Sequence, residues 1–274
     1  MRAYDFKRKH PHREEAHPAS PSKPGQALFR PDSRHVAEVI PSANYDTRQP
    51  DIIVLHSIGS ATNGEALRTL SSADSPRVSA HYCVGEDGRI VQLVPEAMRA
   101  WHAGPSIWAG SNDINSRSIG IEVSVLNKIL DDADFPDVQI DAVAELCLDI
   151  AGRHLIRPER ILAHSDIAPA RKRDPGEKFP WGKLHARGVG HWLEPTPITE
   201  EAALMPGHSG PAVVSLQSEL RRYGYGIRTT GVYDLSTQQV VQAFQRHFRP
   251  AQVDGIADRS TCLTLQRLSE ALEL

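Results

Sequence analysis

Three apolar runs in the middle of the chain predict the strands of a central sheet. They span residues 51–55, 118–125 and 161–163, and they consist mainly of β-branched or aliphatic residues. Runs without regular polar positions are typical of strands that are covered on both faces. Between residues 79 and 94, two further β-rich runs flank the turn-forming pair Asp87-Gly88 and predict a β-hairpin.

Helical periodicity alternates with these strands. Apolar residues recur every three to four positions from 137 to 155, which predicts an amphipathic helix that lies on the sheet and ends before Pro158. A shorter helix is predicted over 63–70. We therefore predict the α/β (α+β) fold class, with a mixed central β-sheet flanked by helices.

A second structural unit follows a segment rich in proline and glycine. Amphipathic stretches at 212–223, 237–248 and 261–274 are separated by turns and predict a small three-helix domain. Either Asp258 or Ser260, and likewise Ser236, is expected to cap a helix. The expected organisation is a disordered or extended tail (1–35), a main α/β domain (36–193), a linker (194–211) and the three-helix domain (212–274).

Composition and charge bear on whether the chain binds nucleic acid, crosses a membrane or forms disulfides. The 274 residues carry a formal net charge of −3. The chain therefore lacks the excess of basic residues that is typical of nucleic-acid-binding proteins. No apolar run is long enough to cross a bilayer, and the N-terminus has no apolar signal core. We therefore expect a cytoplasmic protein, with the periplasm or cell envelope as the alternative. The scattered cysteines, Cys83, Cys147 and Cys262, indicate buried thiols and neither disulfides nor a zinc cluster.

The segment 164–176 concentrates the candidate chemistry. His164 and Asp174 are donors of the types that zinc accepts, but a catalytic zinc needs a third protein ligand. His56 stands at the C-terminal end of the first predicted strand, where α/β proteins build sites, although a histidine that caps a turn would look the same. Glu122 lies in an apolar run, where a carboxylate is costly unless it is paired or functional.

Histidines and tryptophans elsewhere have simpler interpretations. Trp101, His102 and Trp108 lie in a segment rich in small residues, and aromatic side chains on loops suit stacking against a sugar or peptide. Trp108 could equally anchor this loop to the core. His81 is expected to be a core histidine that supports the site without binding metal, and His247 is expected to pack in its helix.

The candidate residues lie in short motifs whose order is distinctive. These motifs are Val54-Leu55-His56, Ser79-Ala80-His81-Tyr82, Gly88-Arg89-Ile90-Val91-Gln92-Leu93-Val94-Pro95-Glu96, Ala100-Trp101-His102-Ala103-Gly104, Ser118-Ile119-Gly120-Ile121-Glu122 and the segment 164–176. Together they resemble the zinc-dependent N-acetylmuramoyl-L-alanine amidases of the type-2 amidase family, in particular its AmiD-like branch, over residues 48–274. That family shares its fold with peptidoglycan recognition proteins. The C-terminal unit resembles the three-helix peptidoglycan-binding domain.

The resemblance implies roles for specific residues. One zinc ion per chain would be bound by His56, His164 and Asp174, the catalytic pair would be Glu122 and Lys172, and the substrate groove would be lined by Trp101, His102 and Asn115. Lys172 could also be a solvated loop cation, but its spacing from Asp174 favours the catalytic role. After His56 the family often has an aromatic residue or Asn and then Thr. The chain has Ser57-Ile58 there, which is expected to alter the groove and not the metal site.

The implied activity is zinc-dependent hydrolysis of the amide between N-acetylmuramic acid and L-alanine in peptidoglycan or muropeptides, by a monomer. The alternatives are a non-catalytic peptidoglycan recognition module and a cytosolic anhydromuropeptide recycler with the same chemistry. Recognition modules of this kind lack a ligand or a catalytic group, so the full set in this chain favours the enzyme. The C-terminal unit is expected to tether the enzyme to the wall, with a docked, stabilising buttress as the alternative.

Overall fold

The computed structural model describes residues 30–42, 44–47, 50–73, 77–126, 134–199 and 203–272. Most of the expected tail, residues 1–29, lies outside this part of the chain. The end of the tail lies against the main domain, because the Asp32 carboxylate accepts hydrogen bonds from the Gln92 side chain and the Glu96 backbone, at 2.7 and 2.9 Å.

A mixed sheet forms the centre of the main domain, as predicted. The strands are β1 (Glu38–Val39), β2 (Tyr45–Thr47), β3 (Ile52–Ser60), β4 (Tyr82–Val84), β5 (Ile90–Gln92), β6 (Met98–Ala100), β7 (Ser118–Leu126) and β8 (Ile161–Ala163). Six of them pair in the order β1-β5-β4-β7-β3-β8, and β2 pairs with β6 in a separate sheet. All neighbours in the large sheet are parallel except β4 and β5, which form the predicted hairpin.

The helices also agree with the periodicity of the sequence. They are α1 (Asn63–Ser71), α2 (Asp137–His154), α3 (His164–Ile167), α4 (Trp181–Ala186), α5 (Pro211–Tyr223), α6 (Leu235–Phe248) and α7 (Arg259–Ala271). Asp258 caps α7, as predicted. The prediction of Ser236 as a cap is wrong, because α6 begins at Leu235, two residues before its predicted start, and the Asp234 side chain accepts the first-turn hydrogen bond. Within the described ranges, no helix has the length and hydrophobicity needed to span a membrane.

Strand β3 is longer than the apolar run that predicted it. Its parallel pairing with β7 continues from Ile52 opposite Ser118 to Ser60 opposite Leu126. The expectation that His56 stands at the end of the strand is therefore wrong. The polar residues after it remain extended because β7 supplies backbone hydrogen-bonding partners along their whole length. In this register His56 lies directly opposite Glu122.

Alternate side chains of β3 contribute to two different cores. Ile53 and Leu55 belong to the cluster that packs beneath α2. Ile52 and Val54 point to the opposite face and share a buried cluster with Phe244 and other residues of the three-helix unit. Because side chains alternate with a period of two, His56 belongs to this second face. The site and the C-terminal unit therefore lie on the same side of the sheet.

Trp108 lies at the centre of the contact between the main domain and the three-helix unit. Its side chain is only 2% exposed, and its ring packs edge-on against Tyr225 with centroids 5.0 Å apart. The next residue, Ala109, donates its backbone N–H to the Gly224 carbonyl at 2.7 Å. These contacts favour the interpretation of Trp108 as an anchor over that of a surface for stacking a sugar.

Described residues of the predicted linker also lie against the three-helix unit. The Thr196 backbone donates to the Thr264 hydroxyl at 3.0 Å, and Leu204 forms an isolated antiparallel bridge with Ala257. The unit is thus held by a shared core and by the chain that leads into it. This arrangement favours the docked alternative for its role.

The contact at Trp108 can be tested through Gly224. This glycine has φ 139°, and an added Cβ would lie 2.6 Å from the Trp108 ring. Gly210 is the control, because its φ of 115° is also unfavourable for alanine but no atom lies within 4 Å of its added Cβ. We expect Gly224→Ala to lower the free energy of unfolding by about 1–3 kcal/mol more than Gly210→Ala, the usual cost of overpacking. Equal losses in denaturant titrations would contradict this packing.

Candidate active site and metal centre

Three buried side chains converge on one point next to β3. His56 comes from the middle of β3, His164 is the first residue of α3 directly after β8, and Asp174 follows ten residues later. The Nδ1 atoms of His56 and His164 are 2.9 Å apart, and Asp174 Oδ2 lies 2.9 Å from His164 Nδ1 and 3.4 Å from His56 Nδ1. These are the residues that the sequence proposed as metal ligands.

The arrangement fits a tetrahedral zinc site. Zinc binds histidine nitrogen and carboxylate oxygen at about 2.0–2.2 Å, which places neighbouring ligand atoms about 3.4 Å apart. Distances of 2.9–3.4 Å are close to that value. Two nitrogens and one oxygen also match the donor set of catalytic zinc, which leaves a fourth position for water or substrate.

The outer nitrogen of each histidine is held by a neighbouring loop. His164 Nε2 donates to the Ala103 carbonyl at 3.1 Å, which leaves the lone pair on Nδ1 to face the cluster. His56 Nε2 lies 2.9 Å from His102 Nδ1. The loop itself is fixed by Asn115, whose side-chain oxygen accepts the backbone N–H groups of His102 and Ala103 at 3.0 and 2.8 Å.

Sequence reasoning missed the glycine that allows His102 to reach this position. A Cβ on Gly120 of β7 would lie 2.5 Å from the His102 ring. A glycine inside a strand pattern signals such a close approach, so the sequence did contain the clue. The Gly120 backbone N–H donates to His81 Nδ1 at 2.9 Å, and His81 Nε2 lies 3.0 Å from the Met98 carbonyl. His81 is thus a buried supporting residue, as expected.

Burial and charge set the protonation states in the metal-free cluster. Burial, together with the nearby His164, lowers the pKa of His56 to about 4. Burial alone would raise the pKa of Asp174, but the close imidazoles of His164 and His56 hold it well below its usual range. A neutral imidazole and an ionised carboxylate are the forms that bind metal, so at neutral pH these two side chains need no proton change to do so.

Glu122 is the least satisfied carboxylate near the cluster. Its Oε2 is buried and makes no hydrogen bond with any described residue. Burial, together with the negative charge of Asp174, raises the pKa of Glu122 to about 8, and the nearby Lys172 partly opposes this shift. A carboxyl group that changes protonation near neutral pH is suited to accept and return a proton.

A cavity of ≈ 250 Å³ opens above these groups. Its walls contain the three predicted ligands together with Trp101, His102, Glu122 and Lys172. Ser57 and Ile58 also line it, which is where the sequence departs from its family pattern. Asn115 is not among the lining residues, and its observed contacts are those that shape the loop.

The raised pKa of Glu122 predicts how the metal-free protein responds to pH. Because its folded pKa is above its unfolded value of 4.5, stability from this group is present below pH 4.5 and is lost as pH rises towards about 8. Glu122→Gln removes this dependence. We therefore expect the difference in melting temperature between metal-free Glu122→Gln and metal-free wild type to become more positive from pH 5 to pH 9. A difference that is independent of pH in parallel melting curves would contradict the assignment.

Comparison with known proteins agrees with this geometry. A family model for N-acetylmuramoyl-L-alanine amidases matches residues 46–177, and one for a putative peptidoglycan binding domain matches residues 209–265. The N-acetylmuramoyl-L-alanine amidase AmiD of Escherichia coli strain K12 is 38% identical over 218 residues, which cover 74% of this chain and 76% of that protein. The 1,6-anhydro-N-acetylmuramyl-L-alanine amidase AmpD of Enterobacter cloacae is 33% identical over 175 residues, which cover 57% and 89%.

A solved structure extends the similarity to both units of the chain. The complex of E. coli AmiD with the substrate anhydro-N-acetylmuramic acid-L-Ala-D-γ-Glu-L-Lys has a TM-score of 0.68 and 35% identity, and the match covers 81% of this chain and 89% of that one. The sequence identity and the shared fold lead to one assignment. The chain belongs to the N-acetylmuramoyl-L-alanine amidase family.

Proposed function

We propose that this protein uses one zinc ion, bound by His56, His164 and Asp174, to hydrolyse the amide between the lactyl group of N-acetylmuramic acid and L-alanine. The observation that carries the proposal is the convergence of two imidazoles and one carboxylate beside Glu122, a half-buried glutamate whose Oε2 atom is buried and lacks a described hydrogen-bond partner. As a member of this family, the chain is an amidase of cell-wall turnover and recycling.

The proton chemistry is assigned to Glu122. When bound, zinc supplies a Lewis acid that polarises the scissile carbonyl and lowers the pKa of a water molecule. Glu122 lies opposite His56 in the sheet register and lines the same cavity. From there its carboxylate accepts the proton of the attacking water and returns it to the leaving amine of L-alanine. Its raised pKa makes both transfers accessible near neutral pH.

Lys172 supplies positive charge to the same cavity. It lies two residues before Asp174 and lines the cavity, and its charge acts on both His56 and Glu122. An ammonium in this position stabilises the oxyanion of the tetrahedral intermediate. Its backbone N–H donates to the Ala168 carbonyl at 2.9 Å, which ties its position to the end of α3.

The range of substrates is the finer part of the proposal. The AmiD structure similar to this chain contains an anhydromuropeptide, and the AmpD relative is named for the 1,6-anhydro sugar. We propose that soluble muropeptides, including anhydro forms, are substrates. Rates on an anhydromuropeptide, its reducing-end counterpart and intact sacculi test this range. A cytoplasmic location and a monomeric state stay predictions, which cell fractionation and sedimentation test.

Loss of any ligand should remove the metal and the activity together. We expect His56→Ala, His164→Ala and Asp174→Ala to lose bound zinc, measured by elemental analysis, and amidase activity, because only two protein ligands remain. Chelation of the wild type should have the same effect, and added zinc should restore the rate. His208→Ala, which changes an exposed histidine, is the control. Full activity in metal-free wild type would overturn the zinc assignment.

Glu122→Gln should separate catalysis from metal binding. The amide keeps the shape of the side chain but cannot accept a proton, so we expect zinc content near that of the wild type and kcat lower by roughly 10²–10⁴-fold. Single-turnover rates on a soluble muropeptide measure the effect. Near-normal kcat in this variant would assign the base to another residue.

A further inference from the structure

Asp166 is a buried carboxylate that the reaction does not use. It lies two residues after His164 in α3 and is 0% exposed. Its Oδ2 accepts the Ala163 backbone N–H at 2.8 Å, which ties it to the residue directly before the metal ligand. Asp166 therefore fixes the junction between β8 and α3, the point from which the His164 side chain starts.

The other partners of Asp166 come from the three-helix unit. The Tyr225 hydroxyl donates to Asp166 Oδ1 at 2.7 Å, and His247 Nδ1 lies 2.7 Å from Asp166 Oδ2. Tyr225 follows α5 and His247 lies near the end of α6, so two separate segments reach the same carboxylate. All three side chains are at most 2% exposed. A carboxyl group buried this deeply depends on its hydrogen bonds, because removing one partner leaves an oxygen atom unsatisfied.

Both partners are themselves held rigidly in the interface. The His247 ring stacks on Trp181 of α4, with centroids 3.7 Å apart, and Tyr225 packs against Trp108. His247 is thus more than the packing residue that the sequence suggested, because it bonds to the segment that carries a metal ligand. Side chains held in this way transmit the position of one unit to the other.

We propose that the three-helix unit positions the metal ligand His164 by holding Asp166, with Tyr225 and His247 as the positioning residues. In this arrangement the unit completes the support of the metal site, in addition to any contact that it makes with substrate. The part of this inference that concerns zinc rests on the proposed function. The part that concerns the position of α3 does not, because it can be measured without metal.

A pair of tyrosine variants tests the inference. Tyr225→Phe removes the hydroxyl that bonds Asp166. Tyr223→Phe removes a second buried hydroxyl of the same unit, which lies 2.8 Å from His191 Nδ1 and makes no described hydrogen bond to Asp166. In the metal-free full-length protein, we expect Tyr225→Phe to speed amide hydrogen exchange at residues 163–168, whereas Tyr223→Phe leaves these amides unchanged. Equal exchange in the two variants would overturn the inference.

Zinc affinity provides the second measurement, by competition with a chelator. We expect Tyr225→Phe to weaken zinc binding about 10-fold, the low end of the effect of changes behind metal ligands, and Tyr223→Phe to leave it unchanged. Wild-type protein that binds no zinc would overturn the proposed function, while hydrogen exchange would still decide the positioning role. If Tyr225→Phe left zinc affinity unchanged, the Tyr225 hydroxyl would not position His164 for metal binding. That result would overturn the inference as stated.

A pair of histidine variants provides rescue by a conservative change. In His247→Asn the amide nitrogen is as many bonds from Cα as Nδ1, so a donor to Asp166 is retained, whereas His247→Leu has none. Both variants lose the stacking on Trp181, so both should lower the melting temperature. We expect His247→Asn to keep zinc affinity within about 3-fold of wild type and His247→Leu to lose about 10-fold or more. Equal zinc affinities would show that the histidine acts only by packing.

Discussion

The parallel register between β3 and β7 is the constraint on which the site depends. It places His56 and Glu122 opposite each other on one face, while Leu55 and Ile121 pack beneath α2 on the other. A slip of one residue would turn a metal ligand into the apolar core and expose a leucine at the site. The hydrophobic alternation that stabilises the sheet is therefore also what fixes the distance between the proposed ligand and the proposed base.

The same burial that orders the site makes it costly for the metal-free chain. Burial lowers the pKa of His56, which keeps its imidazole neutral, and raises the pKa of Glu122 to about 8. The chain offsets part of this cost with hydrogen bonds that surround the cluster: Asn115 fixes the loop that bonds both histidines, and Gly120 leaves room for the His102 ring. The stabilising hydrogen bonds thus lie around the reacting groups, whereas Glu122 in the cavity keeps an oxygen without a described partner.

The sequence predicted the elements well and their long-range contacts poorly. Periodicity identified the sheet, the hairpin and the helices because these patterns are local. The end of β3 was misjudged because residues 57–60 look like a turn until the partner strand is known. The ligand set followed from motifs with a family resemblance, whereas the bond between His247 and Asp166 joins residues 81 positions apart, and neither side chain lies in a pattern that identifies the other. Such a contact can be predicted only from how the two units dock.

Docking changes what the three-helix unit can contribute to hydrolysis. A unit on a free linker would act only by raising the local concentration of wall polymer at the catalytic domain, which affects an insoluble substrate and not a soluble one. Here Trp108 is enclosed by Tyr223 and Tyr225, and Ile52 and Val54 of the central strand share their core with the helices. Removing the unit would expose that apolar face and leave the Asp166 carboxylate without two of its partners. Wall binding and support of the segment that carries His164 are therefore compatible roles of one docked unit, because each role would use a different surface of that unit.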